Sequence, residues 1–337
     1  MFKFIATLTF VLSSVLQARP LLPQYVTDFN IYAKDSIAYS SSDFQGITGA
    51  GNSITLTSFS ILDLLEQAPT KSKASVVTKR FELTNGNVFH GDVVAQDSTY
   101  LTNAQVLNGE IYSRYIDIQQ GGFSRGPYAN TNYNFPNLNL YSEQMDETLN
   151  ELESLETIAR RPSKFGSFQS FSARTDGKLI NVFKADNLVG NALFDAGNDS
   201  REYFIVLLNN AYETQIKNKY FKLINGAKAE NILLVYLNPG KLTLSTSGTG
   251  MGDTRTGIPA SIFAPKADIH FYNGLLTGAI FANSLSGLSG NYTGGQINNG
   301  QFICFEYPIF NRYGNLDFSR CVKSRRQNQR QTDSKKP

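Results

Sequence analysis

The chain has 337 residues and a formal net charge of +3, with 41% hydrophobic and 18% charged residues. That length bounds it to one large domain or two ordinary ones, and the composition excludes a disordered chain, a coiled coil and a highly charged nucleic-acid binder. The 24 Phe, 17 Tyr, 27 Gly and 30 Asn suit turns and half-exposed strands better than helices, so the body reads as β-rich.

The first element is an export signal over residues 1–18. Met1-Phe2-Lys3 supplies a positive start, Phe4 to Val15 is apolar, and Leu16-Gln17-Ala18 offers a cleavage site. The apolar run is too short for a comfortable membrane span, and no later stretch reaches the necessary length. A secreted chain without a membrane span is therefore expected. One domain then covers 19–318, since no composition break forces a second.

Phe29 to Leu65 carries an alternating run, Ser53-Ile54-Thr55-Leu56-Thr57, and a glycine cluster at Gly46, Gly49 and Gly51. Next comes an internal repeat. Val88-Phe89-His90-Gly91-Asp92-Val93 matches Val106-Leu107-Asn108-Gly109-Glu110-Ile111 at an offset of 18, and Ser261-Ile262-Phe263-Ala264 recurs at the same offset as Ala279-Ile280-Phe281-Ala282. Leu275 to Ile280 repeats the first template with Gly278 in the glycine position. Such a period suits one coil of a β-solenoid, in which like residues stack above like and glycine occupies the tight bends. Asn-Gly pairs at Asn85, Asn108, Asn225, Asn273 and Asn299 mark turns, which leaves a sandwich of hairpins as the alternative architecture.

Gly121 to Pro136 reads as a long loop, and Tyr141 to Arg161 as one amphipathic helix. Its apolar stripe is Met145, Leu149, Leu152, Leu155 and Ile158, with acids in the first turns, Arg160-Arg161 in the last and Pro162 as the stop. A stripe of that kind needs a partner surface, which the stacked strands would supply. Leu179 to Leu208 alternates in short apolar runs, Glu230 to Leu237 is a strand, and Ser247 to Thr256 a glycine-rich polar loop.

Cys304 and Cys321 are the two cysteines of the chain. In an oxidising compartment they most simply pair, with two free thiols as the alternative. Asn198-Asp199-Ser200 and Asn291-Tyr292-Thr293 are glycan acceptor triplets if the host is eukaryotic. The tail, 319–337, is basic and reads as a solvated, disordered end, with weak electrostatic attachment to an acidic surface as its functional alternative. With seven Lys/Arg and one Asp between Arg320 and Pro337, it leaves the body mildly acidic.

Chemistry-bearing sets are sparse. His90 and His270 are far apart in sequence and read as structural or solvent-facing. Gly248-Thr249-Gly250-Met251-Gly252-Asp253 lacks the third glycine of a dinucleotide fingerprint and the Lys-Ser/Thr of a phosphate loop, so neither a catalytic set nor a cofactor is expected. Asp92 and Glu110 sit one coil apart, at a spacing close to the carboxylate separation of retaining glycosidases, but read as exposed surface acids. A polysaccharide-active β-helix enzyme is the rival this pair keeps open. An ice-binding ladder would need Thr-x-Thr at the coil period; Thr55-Leu56-Thr57 and Thr243-Leu244-Ser245 stand as isolated cases, and no ladder is visible.

At this point the residues resemble the choice-of-anchor A family, an adhesive domain of exported surface proteins. The first block is Phe29-Asn30-Ile31-Tyr32 with Ser42-Asp43-Phe44-Gln45-Gly46 and Gly51-Asn52-Ser53-Ile54-Thr55-Leu56. Ile180-Asn181-Val182-Phe183 follows the helix. The C-terminal block is the most specific: Ile232 to Asn238, then Gly257-Ile258-Pro259-Ala260-Ser261-Ile262-Phe263-Ala264-Pro265, then Asn273 to Ala282 and Gln301-Phe302. The resemblance implies a β-solenoid body with a helix lying along it, similar in outline to ice-binding β-solenoids. It also implies a non-catalytic adhesive or structural role at a cell surface or in an extracellular matrix, with surface glycans or surface proteins as partners. Here no sorting motif or lipid signal follows the body.

Overall fold

The computed structural model describes residues 22–62, 74–120, 127–129, 133–174, 179–188, 191–209, 214–217, 220–245, 256–287 and 294–298. The export signal, Cys304, Cys321, Asn291 and the basic tail lie outside them. So do most of the Ser247–Thr256 stretch and Asn299.

Among the described residues the chain is mainly β with one α-helix, and its strands wind in a solenoid-like stack of parallel rungs. Val88 pairs with Val106 and Ile262 with Ile280, both in parallel register at the offset of 18 seen in the repeats. The hairpin sandwich is thereby excluded for these segments, since hairpin partners run antiparallel. The period is not uniform, however. Ile31 pairs with Thr48, Thr48 with Val76, Ile180 with Tyr203 and Phe204 with Ile232, so other coils take 17, 28, 23 and 28 residues.

Three faces result. Along face A the rungs follow the order Ile180–Ala185, Tyr203–Leu208, Ile232–Tyr236, 261–264, 280–282, Ile31–Ala33, Thr48–Ala50, 74–78, 92–95, 111–113 and Pro127–Ala129. Pro127–Ala129 falls within the segment expected to be a loop. It extends the sheet from its last rung, where proline at the first strand position is tolerated. The chain therefore enters the stack in its middle, at Ile31, and winds to one end. The helix then carries it towards the opposite end, and it winds back until Ile280 meets Ile31.

Face B stacks Thr214–Lys217, Gly240–Ser245, 267–272, 284–286, 36–40, 53–57, 80–84, 98–102 and 115–119. Face C stacks Thr256–Ile258, Gly274–Thr277, Gln296–Asn298, 42–44, 59–61, 86–88 and 104–106. A smaller sheet of Phe221–Ile224, Asn191–Asp195 and Phe168–Ser172 belongs to the remaining coils. There Ser163–Phe165 adds an antiparallel edge.

Alternation explains the interior. Ile37, Ile54 and Phe81 form one inward column, Leu56, Leu83 and Leu101 another, and Ile61, Val88 and Val106 a third, all buried. Face A is buried on both sides, because Tyr32, Val77, Val94, Tyr203, Phe263 and Phe281 point away from the interior into a second apolar layer under the helix.

In six coils the face B strand ends on a left-handed residue: Ser41, Ser58, Asn85, Asn103, Gln120 and Asn273, with φ of 55°, 52°, 53°, 49°, 52° and 45°. Asn85 and Asn103 also pair through their amides at 2.8 Å. Asparagine tolerates this region better than most residues, so the Asn-Gly at Asn85 turns a parallel coil instead of closing a hairpin.

The helix spans Leu138–Ser154 and tightens into a 3₁₀ turn over Leu155–Ile158. It starts three residues earlier than the periodicity predicts, because Asn137 caps it by accepting the Asn139 N–H at 3.2 Å. No acid lies in the first turn, and Arg160-Arg161 fall beyond the end, so the expected dipole pattern is absent. Leu138, Tyr141, Met145, Leu149 and Leu152 are buried, whereas Ile158 is 61% exposed. The tighter turn rotates the stripe out of phase at Leu155 and turns Ile158 to solvent. At the other end Tyr32 donates to the Leu138 carbonyl at 3.2 Å, Tyr141 to the Pro23 carbonyl at 2.6 Å, and Lys34 pairs with Asp146 at 2.7 Å.

Candidate binding face

The expected carboxylate pair comes together, but not as exposed acids. Asp92 is fully buried, and its Oδ1 accepts the Glu110 N–H at 2.8 Å. Glu110 in turn accepts from the Tyr112 hydroxyl at 2.8 Å. The corresponding position at the second repeat is Ser261, whose Oγ accepts the Ala279 N–H at 3.0 Å. In both repeats the preceding glycine is required by stacking. A Cβ on Gly109 would sit 1.8 Å from the Gly91 carbonyl oxygen, and one on Gly278 would sit 2.2 Å from that of Ala260. The Gly-acid template is therefore a coil-joining device in which a side chain of one coil holds the backbone of the next. Among the described residues no group of three or more His, Cys, Asp or Glu is placed to hold a metal ion.

The two histidines lie on different parts of the coils. His90 is half-buried just before the Gly91 corner. His270 points outward on face B, where its Nδ1 lies 2.9 Å from the Tyr272 hydroxyl. Asn198 is exposed in a turn with φ of 73°.

Face B is covered neither by the helix nor by a second layer of described residues, and its outward positions form rows that cross the strands. One row runs Asp268, Ser284, then Ser36, Ser53, Arg80, Ser98 and Tyr115. The next runs Thr243, His270, Ser286, Ala38, Thr55, Glu82, Tyr100 and Asp117. A third places Ser40, Thr57, Thr84, Thr102 and Gln119 side by side. Four hydroxyls thus line up at the rung spacing of roughly 4.8 Å. β-Branched residues on a strand have a stiff first torsion, so the three threonines hold their hydroxyls in a restricted set of directions.

No constant period marks this ladder in the sequence, because its members are separated by 17, 27 and 18 residues. The long step spans an insertion between two coils. One useful signal lies in the corners: Ser40, Thr57, Thr84 and Thr102 each precede a residue of positive φ.

The middle of face B is floored by small side chains, while its two sides are bulkier. On one side Arg80 lies 5.1 Å from the centre of the Tyr100 ring and 3.5 Å from Glu82, and the rings of Tyr100 and Tyr115 are 5.7 Å apart. On the other, Asp268 Oδ1 accepts from Asn283 at 2.8 Å and Ser284 at 2.7 Å, beside the His270–Tyr272 pair.

The described residues thus define a parallel, solenoid-like class of β domain, backed by an α-helix on one face and polar, in-register rows on another. Residues 23–299 match the family described as "Putative Ice-binding-like adhesive domain", and the chain belongs to that family. The adhesive-domain level of the sequence resemblance is thus met, under a different family name from choice-of-anchor A.

Solved structures similar to the chain include the ice-binding protein of the Antarctic ascomycete Antarctomyces psychrotrophicus, at 13% identity and TM-score 0.43, covering 82% of this chain and 96% of that one. The DUF3494 domain of Shewanella frigidimarina ice-binding protein 1 matches at 18% identity and TM-score 0.35, covering 84% and 97%. An ice-binding protein from an Antarctic Flavobacteriaceae bacterium matches at 12% identity and TM-score 0.26, covering 79% and 62%. A search of curated proteins gives no match.

Proposed function

We propose that the chain is an exported, non-catalytic adhesive domain that grips carbohydrate or protein of a cell surface or extracellular matrix through face B. The observation that carries this reading is the face itself: rows of hydroxyl, amide and aromatic groups at a fixed rung spacing. Such a surface makes many weak contacts with a repetitive partner, and avidity multiplies them. Choice-of-anchor A is the narrower affiliation we attach to it, on the C-terminal block. The accompanying assignments are an export signal at 1–18, one domain over 19–318, a Cys304–Cys321 disulfide and glycan acceptors at Asn198 and Asn291. The basic tail adds weak attachment to acidic surfaces.

Retention of the purified chain on insoluble cell-wall polysaccharide, matrix protein and intact cells tests the reading. Specific retention on at least one of them is the expected result, and passage through all of them overturns it. Ice binding is a second reading, favoured by the hydroxyl row Ser40, Thr57, Thr84 and Thr102. The neighbouring row is interrupted by Glu82 and Tyr100, which fit a regular lattice poorly. Measured thermal hysteresis would move the conclusion to that reading.

A further inference from the structure

We propose that the outer three rungs of face B (80–84, 98–102 and 115–119) form a subsite for a neutral saccharide, with Tyr100 and Tyr115 as its stacking platform. This rests on the adhesive reading of face B and names the chemistry of one ligand. Tyr115 is 54% exposed, although a large aromatic side chain gains by burial, and its neighbour Tyr100 lies 5.7 Å away with the rings inclined at 51°. An aromatic face carries negative π density and takes the C–H face of a sugar ring, while the phenol end offers a hydrogen bond. Arg80 packs over Tyr100 at 5.1 Å and restrains it.

Around the rings stand the groups that hold sugar hydroxyls. Glu82 and Asp117 occupy the two rungs flanking Tyr100 in its own row, and Thr84, Thr102 and Gln119 form the adjacent row. Gln119 donates to Asp117 at 3.3 Å, which orients both side chains. The charge decides the class of sugar. Arg80 is the basic member of the outward set, and it faces Glu82 at 3.5 Å; Asp117 adds a second negative charge. At the edge Arg114 is likewise matched by Asp97 at 3.2 Å. With Lys79 at the same edge the patch is neutral overall, so it holds no excess positive charge for sulfated or carboxylated polymers and lacks the basic groove that single-stranded nucleic acid requires.

The test is titration of the full chain with soluble neutral glucans, mannans and galactans, and with dextran sulfate as the acidic polymer. Saturable binding to at least one neutral polymer and none to dextran sulfate is expected. Tyr115→Ala should weaken that binding about tenfold or more, and Tyr115→Phe should retain most of it, with thermal unfolding unchanged in both. Equal neutral-glycan binding by Tyr115→Ala, or preference for dextran sulfate, overturns the proposal. If the wild-type chain is retained on cells or matrix but binds no neutral glycan, the subsite is overturned and the adhesive reading survives. Failure on every surface overturns both.

Discussion

The buried carboxylate of Asp92 accepts the backbone N–H of Glu110 one coil further on, at 2.8 Å. Ser261 does the same for Ala279 at 3.0 Å in a distant part of the chain. A hydrogen bond to a charged acceptor contributes roughly 1.5–3 kcal/mol, and a neutral one about 1 kcal/mol. Asp92→Ala should therefore lower the denaturation free energy by about 2 kcal/mol or more, because it also strands a buried N–H. Ser261→Ala should cost about half as much. Urea unfolding of the two variants measures both, and equal stability of wild type and Asp92→Ala would contradict the role.

The glycines beside these residues give a sharper contrast. Gly109→Ala and Gly278→Ala each drive a methyl group into a stacked carbonyl, so either variant should unfold well before the wild type or fail to fold. Gly257→Ala meets nothing within 4 Å and should be tolerated. Melting temperatures of the three variants decide this, and a stable Gly109→Ala would show that the coils are not stacked in this register.

The helix face makes a third prediction. Met145 and Leu149 are fully buried between helix and sheet, so truncation of either to alanine should cost about 2–5 kcal/mol. Ile158→Ala, at a position 61% exposed, should change stability by less than about 0.5 kcal/mol. A large loss at Ile158 would restore the longer helix that the periodicity alone predicts.

Alkaline pH should loosen the same interface. Burial pushes the Tyr141 phenol up from 10.0 to about 12, and burial raises Tyr32 and Tyr112 as well. A group whose folded-state value is raised holds its proton in the native state while the unfolded chain has lost it. Its contribution is complete below pH 10 and is lost as pH rises towards about 12. Stability measured by urea at pH 8, 10 and 11.5 should therefore fall across the last interval. Tyr141→Phe should be weaker at pH 8, having lost its bond to the Pro23 carbonyl, yet show a shallower alkaline decline.

Much of the fold was legible because stacking is written locally. The Gly-acid template and the Ser-Ile-Phe-Ala repeat lie in coils of constant length, so a fixed offset finds them. The hydroxyl row of face B was not legible for the opposite reason: its rungs are adjacent in space but interrupted in sequence, and only the register across the insertion aligns Thr57 with Thr84. Asp92 reads as exposed from sequence because nothing in its own segment pairs with it; the Glu110 N–H that it holds appears only when the next coil is laid over it. The end of the helix slipped because a 3₁₀ turn preserves composition while changing phase.

The most direct test of the account places the same bulk on two faces. Thr57→Lys with Thr84→Lys interrupts the hydroxyl row of face B, whereas Ser60→Lys with Asn87→Lys alters the matching rungs of face C. Retention of both variants and the wild type is then compared on the surface that the wild type grips best. The face B pair should lose at least about tenfold in retention at unchanged melting temperature, and the face C pair should match the wild type. Equal retention by the face B pair, or selective loss by the face C pair, would contradict face B as the binding surface.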